Sequence, residues 1–218
     1  MEKFLRMFTG IIESVGVILR IGQKSGNLEV EIEALNFLND VGIGDSISVD
    51  GICLSVCSKT GKSFCANLLA ETVKRSTFDS ARAGRKVNLE KSLKSGSRFS
   101  GHIVTGHVDE TGEILEAKNY SGDRELKIKV RPDTVRYIVE KGSVAVNGVS
   151  LTVVNEGKDY FTVRLIPLTA EKTNLDKVRK GNRVNIEADI LAKYAAKASG
   201  RNKPSKITLE FLKEKGFE

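Results

Sequence analysis

The residues best suited to chemistry in this chain are its two histidines. Both lie in the segment Gly101-His-Ile-Val-Thr-Gly-His107, and the 218-residue sequence contains no others. Imidazole titrates near neutral pH, so His102 and His107 could act as a general acid or base. A histidine in a strand more often satisfies local hydrogen bonds than takes part in catalysis. This segment alone leaves both interpretations open.

A second candidate is a face of small residues between Val49 and Val56. Neighbouring side chains of a strand point to opposite faces. This rule places Ile52, Leu54 and Val56 in the core, and places on the other face Gly51, Cys53 and Ser55. A small, weakly polar face suits a flat ligand held by hydroxyl and thiol contacts. The alternative is that these residues only meet water or a turn.

The same face occurs twice because the sequence contains an internal repeat. The segment Ser46 to Val56 matches Ser143 to Val153 at an offset of 97 positions, and the match continues as far as Glu187. The second copy therefore repeats the small face as Gly148, Ser150 and Thr152. Near the start of each copy, His107 matches Ile11. The repeat predicts two pockets of similar shape and different proton chemistry.

Short strands separated by Gly, Asn and Asp turns are expected to position these residues. Several strands in fewer than about 100 residues per copy predict a small closed barrel, because closure removes sheet edges. We predict an N-terminal barrel over residues 1–97, a C-terminal barrel over 98–188 and a helical tail over 189–218. The expected elements are strands over Leu28–Ile32, Ser46–Ser58, Ser63–Leu68, Lys86–Leu89, Glu125–Val130 and Tyr160–Leu165, a linker over Ser92–Ser100, and helix over Ile190–Ala198 and again after Pro204.

Composition and charge narrow the function classes. Hydrophobic residues make up 40% of the chain and charged residues 29%, which is typical of a globular protein. We expect a cytoplasmic protein without membrane association, because no apolar run approaches the roughly 20 residues of a membrane span and no secretory signal precedes the first copy.

Its three cysteines are expected to be reduced, and they lie too far from the histidines to predict a metal site. A net charge of +7 raises the question of nucleic-acid binding, but aromatic residues are only 6% of the chain, which argues against base stacking.

Four groups of motifs together resemble the riboflavin synthases of the alpha-chain type. They are Met7-Phe-Thr-Gly-Ile-Ile-Glu13, the histidine segment, the paired Gly-x-x-Leu-[Ser/Thr]-Val segments and the paired Val-Asn-[Leu/Ile]-Glu segments. The resemblance covers about residues 7 to 190. It implies a mainly β fold of two tandem six-stranded antiparallel Greek-key β-barrels with a C-terminal α-helix, and a homotrimer. It also allows association with lumazine synthase.

The resemblance further implies an activity. Two molecules of 6,7-dimethyl-8-ribityllumazine exchange a four-carbon unit, which gives riboflavin and 5-amino-6-ribitylamino-uracil without a metal or redox cofactor. Such a dismutation needs two copies of one compound face to face, and in the family the site lies between barrels of different subunits. The alternative is a non-catalytic lumazine- or flavin-binding protein on the same fold. Because both copies keep their motifs, the enzyme is favoured.

The resemblance also assigns site residues. The expected N-barrel contacts are Gly10, Ile11, Ile12, Cys53, Leu54, Ser55, Asn67, Leu68, Leu69, Ala70, Glu71 and Thr72. The expected C-barrel contacts are Gly106, His107, Val108, Lys141, Ser150, Leu151, Thr152, Ile166, Pro167, Leu168, Thr169, Ala170 and Glu171.

Proton abstraction from the methyl group on ring carbon 7 is assigned, by the same resemblance, to a smaller group. Its members are His107, Ser150 and Thr152, assisted by Cys53 and Asp189. The base among them is left undecided. Residues 1–6 precede the usual Met-Phe start, so they either bend away from the ligand or lie before the true initiator, Met7.

Overall fold

The alternation of apolar and polar residues in the first copy produces six antiparallel strands that close into a barrel. A computed structural model describes residues 7–24, 27–200 and 214. Our expectations for residues 1–6 and for a second helical stretch after Pro204 lie outside these residues. The first barrel consists of β1 (Ser14–Lys24), β2 (Asn27–Glu33), β3 (Ser46–Val49), β4 (Ile52–Lys59), β5 (Ser63–Leu68) and β6 (Lys86–Lys91), hydrogen-bonded in the order β1-β2-β5-β4-β3-β6.

The second copy repeats this barrel. Its strands are β7 (Glu110–Asn119), β8 (Arg124–Lys129), β9 (Ser143–Val146), β10 (Val149–Glu156), β11 (Tyr160–Leu165) and β12 (Arg183–Ala188), joined in the equivalent circular order. Within residues 7–200, as far as they are described, four short α-helices accompany the strands: α1 (Ala70–Arg75), α2 (Pro132–Val135), α3 (Pro167–Lys172) and α4 (Ile190–Ala198). The predicted fold class, two tandem six-stranded barrels followed by a C-terminal helix, is confirmed. In the described residues, no helix is both long enough and apolar enough to span a membrane.

Each barrel has its own apolar core, filled by the inward-facing residues of its strands. In the first barrel Phe64, Ile32 and Leu89 are fully buried, and in the second Phe161 and Ile128 are. Burial of such side chains is the main force that closes each barrel. The predicted alternation along β4 is confirmed, because its three apolar residues are buried, Cys53 is half-buried and Ser55 is exposed.

The prediction of one continuous strand from Ser46 to Ser58 is wrong. A two-residue turn at Asp50 and Gly51 divides it into β3 and β4, with φ angles of +47° and +80°. Its counterpart in the second copy, Asn147 and Gly148, has φ angles of +45° and +76°. Hairpins with both turn residues at positive φ favour Asn-Gly and Asp-Gly. Gly51 and Gly148 therefore belong to turns and not to a strand face. The strands named from the sequence were examples, and the repeat extends them to β9, β10 and β12. No segment was named for β1, β7 or the short helices α1, α2 and α3.

The two glycines of these turns allow the barrels to approach each other closely. A Cβ atom built on Gly51 would lie 2.7 Å from the backbone nitrogen of Gly148, and one built on Gly148 would lie 2.7 Å from that of Gly51. Real Cβ atoms essentially never come this close. These glycines thus serve contact between the barrels and not contact with a ligand.

Hydrogen bonds between the barrels occur in repeat-related pairs. Asn88 Nδ2 donates to the carbonyl of Asn147 (2.9 Å), and Asn185 Nδ2 donates to the carbonyl of Asp50 (2.8 Å). A second pair involves Thr77 and Asn174, which also match in the repeat. The Thr77 amide donates to the side-chain oxygen of Asn185 (2.8 Å). The Asn174 amide donates to the side-chain oxygen of Asn88 (2.7 Å). The barrels are therefore related by an approximate two-fold axis.

One position breaks this symmetry. Asp50 is fully buried and forms an ion pair with Arg85 at 2.9 Å, whereas its repeat partner Asn147 is neutral. Burial raises the pKa of the Asp50 carboxyl, and the Arg85 charge opposes that rise. Asn174 Nδ2 also donates to Asp50 at 2.7 Å. A buried charge therefore occurs at this position in the first barrel and is absent from the equivalent position in the second.

Candidate active site

The structure brings together four of the predicted site residues in two crossed contacts. The carbonyl of Gly10, in the first barrel, accepts a hydrogen bond from the Ser150 amide of the second barrel (2.8 Å). The carbonyl of Gly106, in the second barrel, accepts one from the Cys53 amide of the first (2.9 Å). A Cβ atom on Gly10 or Gly106 would lie 2.6 Å or 2.5 Å from the Cβ of its partner. Both positions therefore require glycine.

Ser150 has a histidine partner, and that histidine is His102. Its Nδ1 lies 2.7 Å from Ser150 Oγ, and the side chain is 6% exposed. Burial lowers the pKa of His102, although the nearby negative charge of Asp189 acts in the opposite direction. A neutral imidazole hydrogen-bonded to a hydroxyl can accept its proton. The pair can therefore serve as a general base.

His107, which the sequence analysis favoured, lies in a different environment. Its side chain is exposed, as is that of its repeat partner Ile11. It follows directly after Gly106 and so belongs to the turn that contacts Cys53. Sequence alone gives no signal that distinguishes the two histidines, because the Ser150 contact depends on how the segment packs against β10.

The other proposed catalytic residues occupy varied positions. Thr152 is exposed on β10, two residues after Ser150 and on the same face. Asp189 caps the first turn of α4, where its Oδ1 accepts a hydrogen bond from the Leu191 amide at 2.9 Å. Asp189 therefore has a structural role, and its charge also acts on His102.

Lys141 has an unusual backbone conformation, with a φ angle of +63°. Its repeat partner in the first barrel is Gly44, with a φ angle of +90°. A non-glycine residue in the left-handed region is uncommon and disfavoured by about 1–2 kcal/mol. Such residues concentrate at functional sites, so this geometry favours a role for the exposed Lys141 ammonium.

Exposed apolar side chains lie in the segments that follow β5 and β11. Leu69 is 72% exposed just before α1, and its repeat partner Ile166 is 60% exposed just before α3, where Leu168 is also exposed. Large exposed apolar residues on both copies are typical of a surface that binds a flat ligand or a partner.

The remaining predicted contacts divide into two groups. Three have side chains buried in the barrel cores, so they could reach a ligand only through the backbone: Leu54, Leu68 and Leu151. The others are half-buried or exposed: Ile12, Ser55, Asn67, Ala70, Glu71, Thr72, Val108, Pro167, Thr169, Ala170 and Glu171. In the part of the chain that the structure describes, no group of three or more His, Cys, Asp or Glu residues could hold a metal ion.

A family model described as the lumazine binding domain matches the chain twice, over residues 9–92 and 105–189. The chain belongs to the lumazine-binding family. Each match covers one barrel together with the Thr-Gly turn that precedes it. The crossed contacts of Gly10 and Gly106 thus join two lumazine-binding domains of one chain.

This lumazine-binding chain is also similar to curated proteins over nearly its whole length. Riboflavin synthase of Actinobacillus pleuropneumoniae is 42% identical over 215 residues, which cover 97% of this chain and 100% of that protein. Riboflavin synthase of Bacillus subtilis (strain 168) is 39% identical over the same shares. Riboflavin synthase of Mycobacterium bovis is 42% identical over 192 residues, or 86% of this chain and 96% of that protein.

Solved structures of LumP share the fold of this lumazine-binding chain. LumP complexed with 6,7-dimethyl-8-(1'-D-ribityl) lumazine has a TM-score of 0.75 and 24% identity, over 83% of this chain and 98% of that chain. LumP complexed with riboflavin has a TM-score of 0.77 and 24% identity, over 84% and 99%. At this identity, the likeness supports the fold of two tandem barrels.

Proposed function

We propose that this protein is a riboflavin synthase. It converts two molecules of 6,7-dimethyl-8-ribityllumazine into riboflavin and 5-amino-6-ribitylamino-uracil by moving a four-carbon unit from one to the other. The observation that carries this proposal is the 42% identity to a riboflavin synthase along its entire length. The two lumazine binding domain matches agree with a reaction that uses two copies of one compound.

The inequality of the two pockets supports a division of roles between them. The second pocket contains the Ser150–His102 pair, whereas Cys53 occupies the position of Ser150 in the first. A hydroxyl that passes its own proton to the nitrogen of a neutral imidazole can take a proton from an acidic methyl group in return. We assign proton abstraction to the second pocket and the binding of the other lumazine mainly to the first.

The substrate contacts proposed here are those assigned from the family motifs, with His102 added. Lys141 and the exposed apolar residues Leu69, Ile166 and Leu168 are the members with the strongest independent support, from backbone strain and exposure. An ammonium group suits the polar ring edge or the ribityl hydroxyls, and apolar side chains suit the ring face. His107 remains in the proposed set as an exposed group that can hydrogen-bond or transfer a proton.

The proposal includes a homotrimer, in which the first barrel of one subunit meets the second barrel of another. Helix α4 supports association, because it has no buried residue and exposes Leu191 (60%) and Tyr194 (64%). Holding two reactants in the correct geometry can supply roughly 7–11 kcal/mol of barrier lowering. The subunit contact therefore contributes to catalysis. We also propose that the protein works in the cytoplasm.

The test is incubation of the purified protein with the dimethyl-ribityllumazine alone. We expect two molecules of lumazine to disappear for each riboflavin formed, and the rate to be unchanged by EDTA. A one-to-one yield would contradict the dismutation. Tight lumazine binding without riboflavin formation would instead indicate the alternative, a non-catalytic lumazine-binding protein.

A further inference from the structure

Each Thr-Gly turn is held by a buried glutamate. Glu90 lies in β6, is 4% exposed and accepts three hydrogen bonds from the first turn. Its Oε1 accepts from the Thr9 amide (2.7 Å) and the Thr9 hydroxyl (2.8 Å). Its Oε2 accepts from the Gly10 amide (3.0 Å). Both carboxylate oxygens are thus used. An ionised carboxylate is the side-chain group that can accept from all three donors at once.

The turn held by Glu90 contacts both members of the Ser150–His102 pair in the other barrel. The Thr9 carbonyl accepts a hydrogen bond from the His102 amide (3.2 Å), and the Gly10 carbonyl accepts one from the Ser150 amide (2.8 Å). Along β10, Ser150 lies opposite Ala145 of β9. A short chain of hydrogen bonds therefore runs from Glu90 of the first barrel to the candidate base of the second.

The second copy repeats this arrangement in the opposite direction. Glu187 accepts hydrogen bonds from the Thr105 amide (2.7 Å) and hydroxyl (2.6 Å) and from the Gly106 amide (3.0 Å). The Gly106 carbonyl in turn accepts the Cys53 amide of the first barrel (2.9 Å). The glutamate of each barrel thus supports a pocket residue of the other barrel.

Retention of a carboxylate at this position is unfavourable for stability. Burial raises the pKa of Glu90 to about 7, with a smaller contribution from the negative charge of Glu13, and burial also raises the pKa of Glu187. A neutral glutamine of the same length would be easier to bury, but its amide group would point a donor at one of the three donors of the turn. Both the geometry and this energetic disadvantage favour a functional role.

We propose that Glu90 is a positioning residue for the Ser150–His102 pair and that Glu187 is a positioning residue for Cys53, each acting across the barrel interface through its Thr-Gly turn. This inference rests on the proposed function for its kinetic readout. Its structural readout does not depend on that function.

The experiment compares three substitutions of buried glutamates in the full-length protein. Glu90→Gln and Glu187→Gln disturb the two turns. Glu110→Gln is the matched control, because Glu110 is also buried (9% exposed) and accepts a backbone amide, that of Arg131 at 3.1 Å, outside both turns. For each variant, kcat, the lumazine Kd from fluorescence, and hydrogen exchange of the Ser150 and Cys53 amides are measured.

We expect a crossed pattern. Glu90→Gln should accelerate exchange at the Ser150 amide and lower kcat at least tenfold, with a smaller change in Kd. Glu187→Gln should accelerate exchange at the Cys53 amide and lower kcat less, and Glu110→Gln should leave kcat and both amides within twofold. If Glu90→Gln does not fold, Thr9→Val removes one of the three donors and should lower kcat about threefold.

Two results would overturn the inference: equal acceleration at both amides in every variant, or a kcat for Glu90→Gln within twofold of the control. If the wild-type protein forms no riboflavin, the proposed function fails separately. The exchange pattern would then still decide whether each glutamate positions the pocket residue of the opposite barrel.

Discussion

The two pockets share a backbone frame and differ in the side chains placed on it. Each frame consists of a Thr-Gly turn, a buried glutamate and the first residues of a strand, and the matched distances agree within 0.2 Å. The Thr9-Gly10 turn leads into Ile11 and contacts Ser150 and His102, whereas the Thr105-Gly106 turn leads into His107 and contacts Cys53. Both copies thus keep the same hydrogen-bonded turn, while the side chains next to that turn differ.

The largest loss of activity is expected when the subunits of the proposed trimer are separated from one another. Deletion of residues 190–218 removes α4. None of the residues of α4 is buried, so both barrels should still fold without it. If the site lies between subunits, activity should fall by at least about 10³-fold, since positioning two reactants supplies roughly 7–11 kcal/mol. Light scattering and riboflavin formation provide the measurements.

A double substitution serves as the control for this truncation. Leu191→Ser with Tyr194→Ser changes only the exposed apolar face of α4 and should give the same monomeric, inactive protein. Full activity in a demonstrated monomer of either variant would show that one chain contains the complete site.

The next largest effect should come from the residue that distinguishes the pockets most clearly. Ser150→Ala removes the hydroxyl 2.7 Å from His102 and should lower kcat by about 10²–10⁴-fold, the usual contribution of a general base. His102→Gln should have a similar effect, and the double variant should be little worse, because the two groups act as a unit. Stopped-flow kinetics and lumazine titration separate kcat from binding.

The matched change in the first pocket is Cys53→Ser, which keeps a small polar group. We expect it to lower kcat much less than Ser150→Ala. If the two substitutions have equal effects, proton chemistry is not weighted towards the second barrel.

A third prediction concerns stability and tests the frame that the pockets share. The pKa of Glu90 is raised from 4.5 to about 7, so the folded state holds the proton more tightly than the unfolded chain does. The associated stability is fully present below about pH 4.5 and is lost as the pH rises through about 7. Glu90→Gln has no such proton. Its free energy of unfolding relative to wild type should therefore increase between pH 4.5 and 8 by an amount on the order of 3 kcal/mol.

Urea unfolding of both proteins at several pH values measures this difference. Parallel pH dependence in the two proteins would show that Glu90 has an ordinary pKa. The difference between the curves is informative because Asp50 and Glu187, whose pKa values are also raised, contribute equally to both proteins.

The smallest effect is expected at Lys141, where the first barrel itself provides the comparison. Lys141→Gly reproduces Gly44 of the other copy and relieves a φ angle of +63°, so the melting temperature should stay the same or rise. Loss of the ammonium group should weaken lumazine binding several-fold. Unchanged affinity with unchanged stability would remove Lys141 from the site.

Some of this architecture could be predicted from the sequence because it depends on local patterns. The repeat offset and the alternation of Ile52, Leu54 and Val56 predicted a duplicated barrel and its inward face, and helix α4 begins and ends as predicted. The turn at Asp50 also had a signal: Val49 and Ile52 are both buried but three positions apart, which breaks the strand alternation.

The partner of Ser150 had no such signal. His102 and Ser150 are 48 positions apart, and their contact depends on how the Thr-Gly turn of one barrel lies against a strand of the other. A sequence pattern predicts the fold of each copy by itself. It does not describe how two copies pack together, and this packing determines which histidine meets the serine.

The paired hydrogen bonds at the barrel interface have a consequence for the history of the molecule. A contact in which Asn88 and Asn185 play the same part from opposite sides can form between two identical chains, so its simplest ancestor is a single barrel that dimerised with itself. In that ancestor every mutation would have appeared on both sides at once. After fusion, Asp50 could acquire a buried charge while its former equivalent, Asn147, stayed neutral. Joining the genes thus made it possible for one half of the protein to specialise without altering the other.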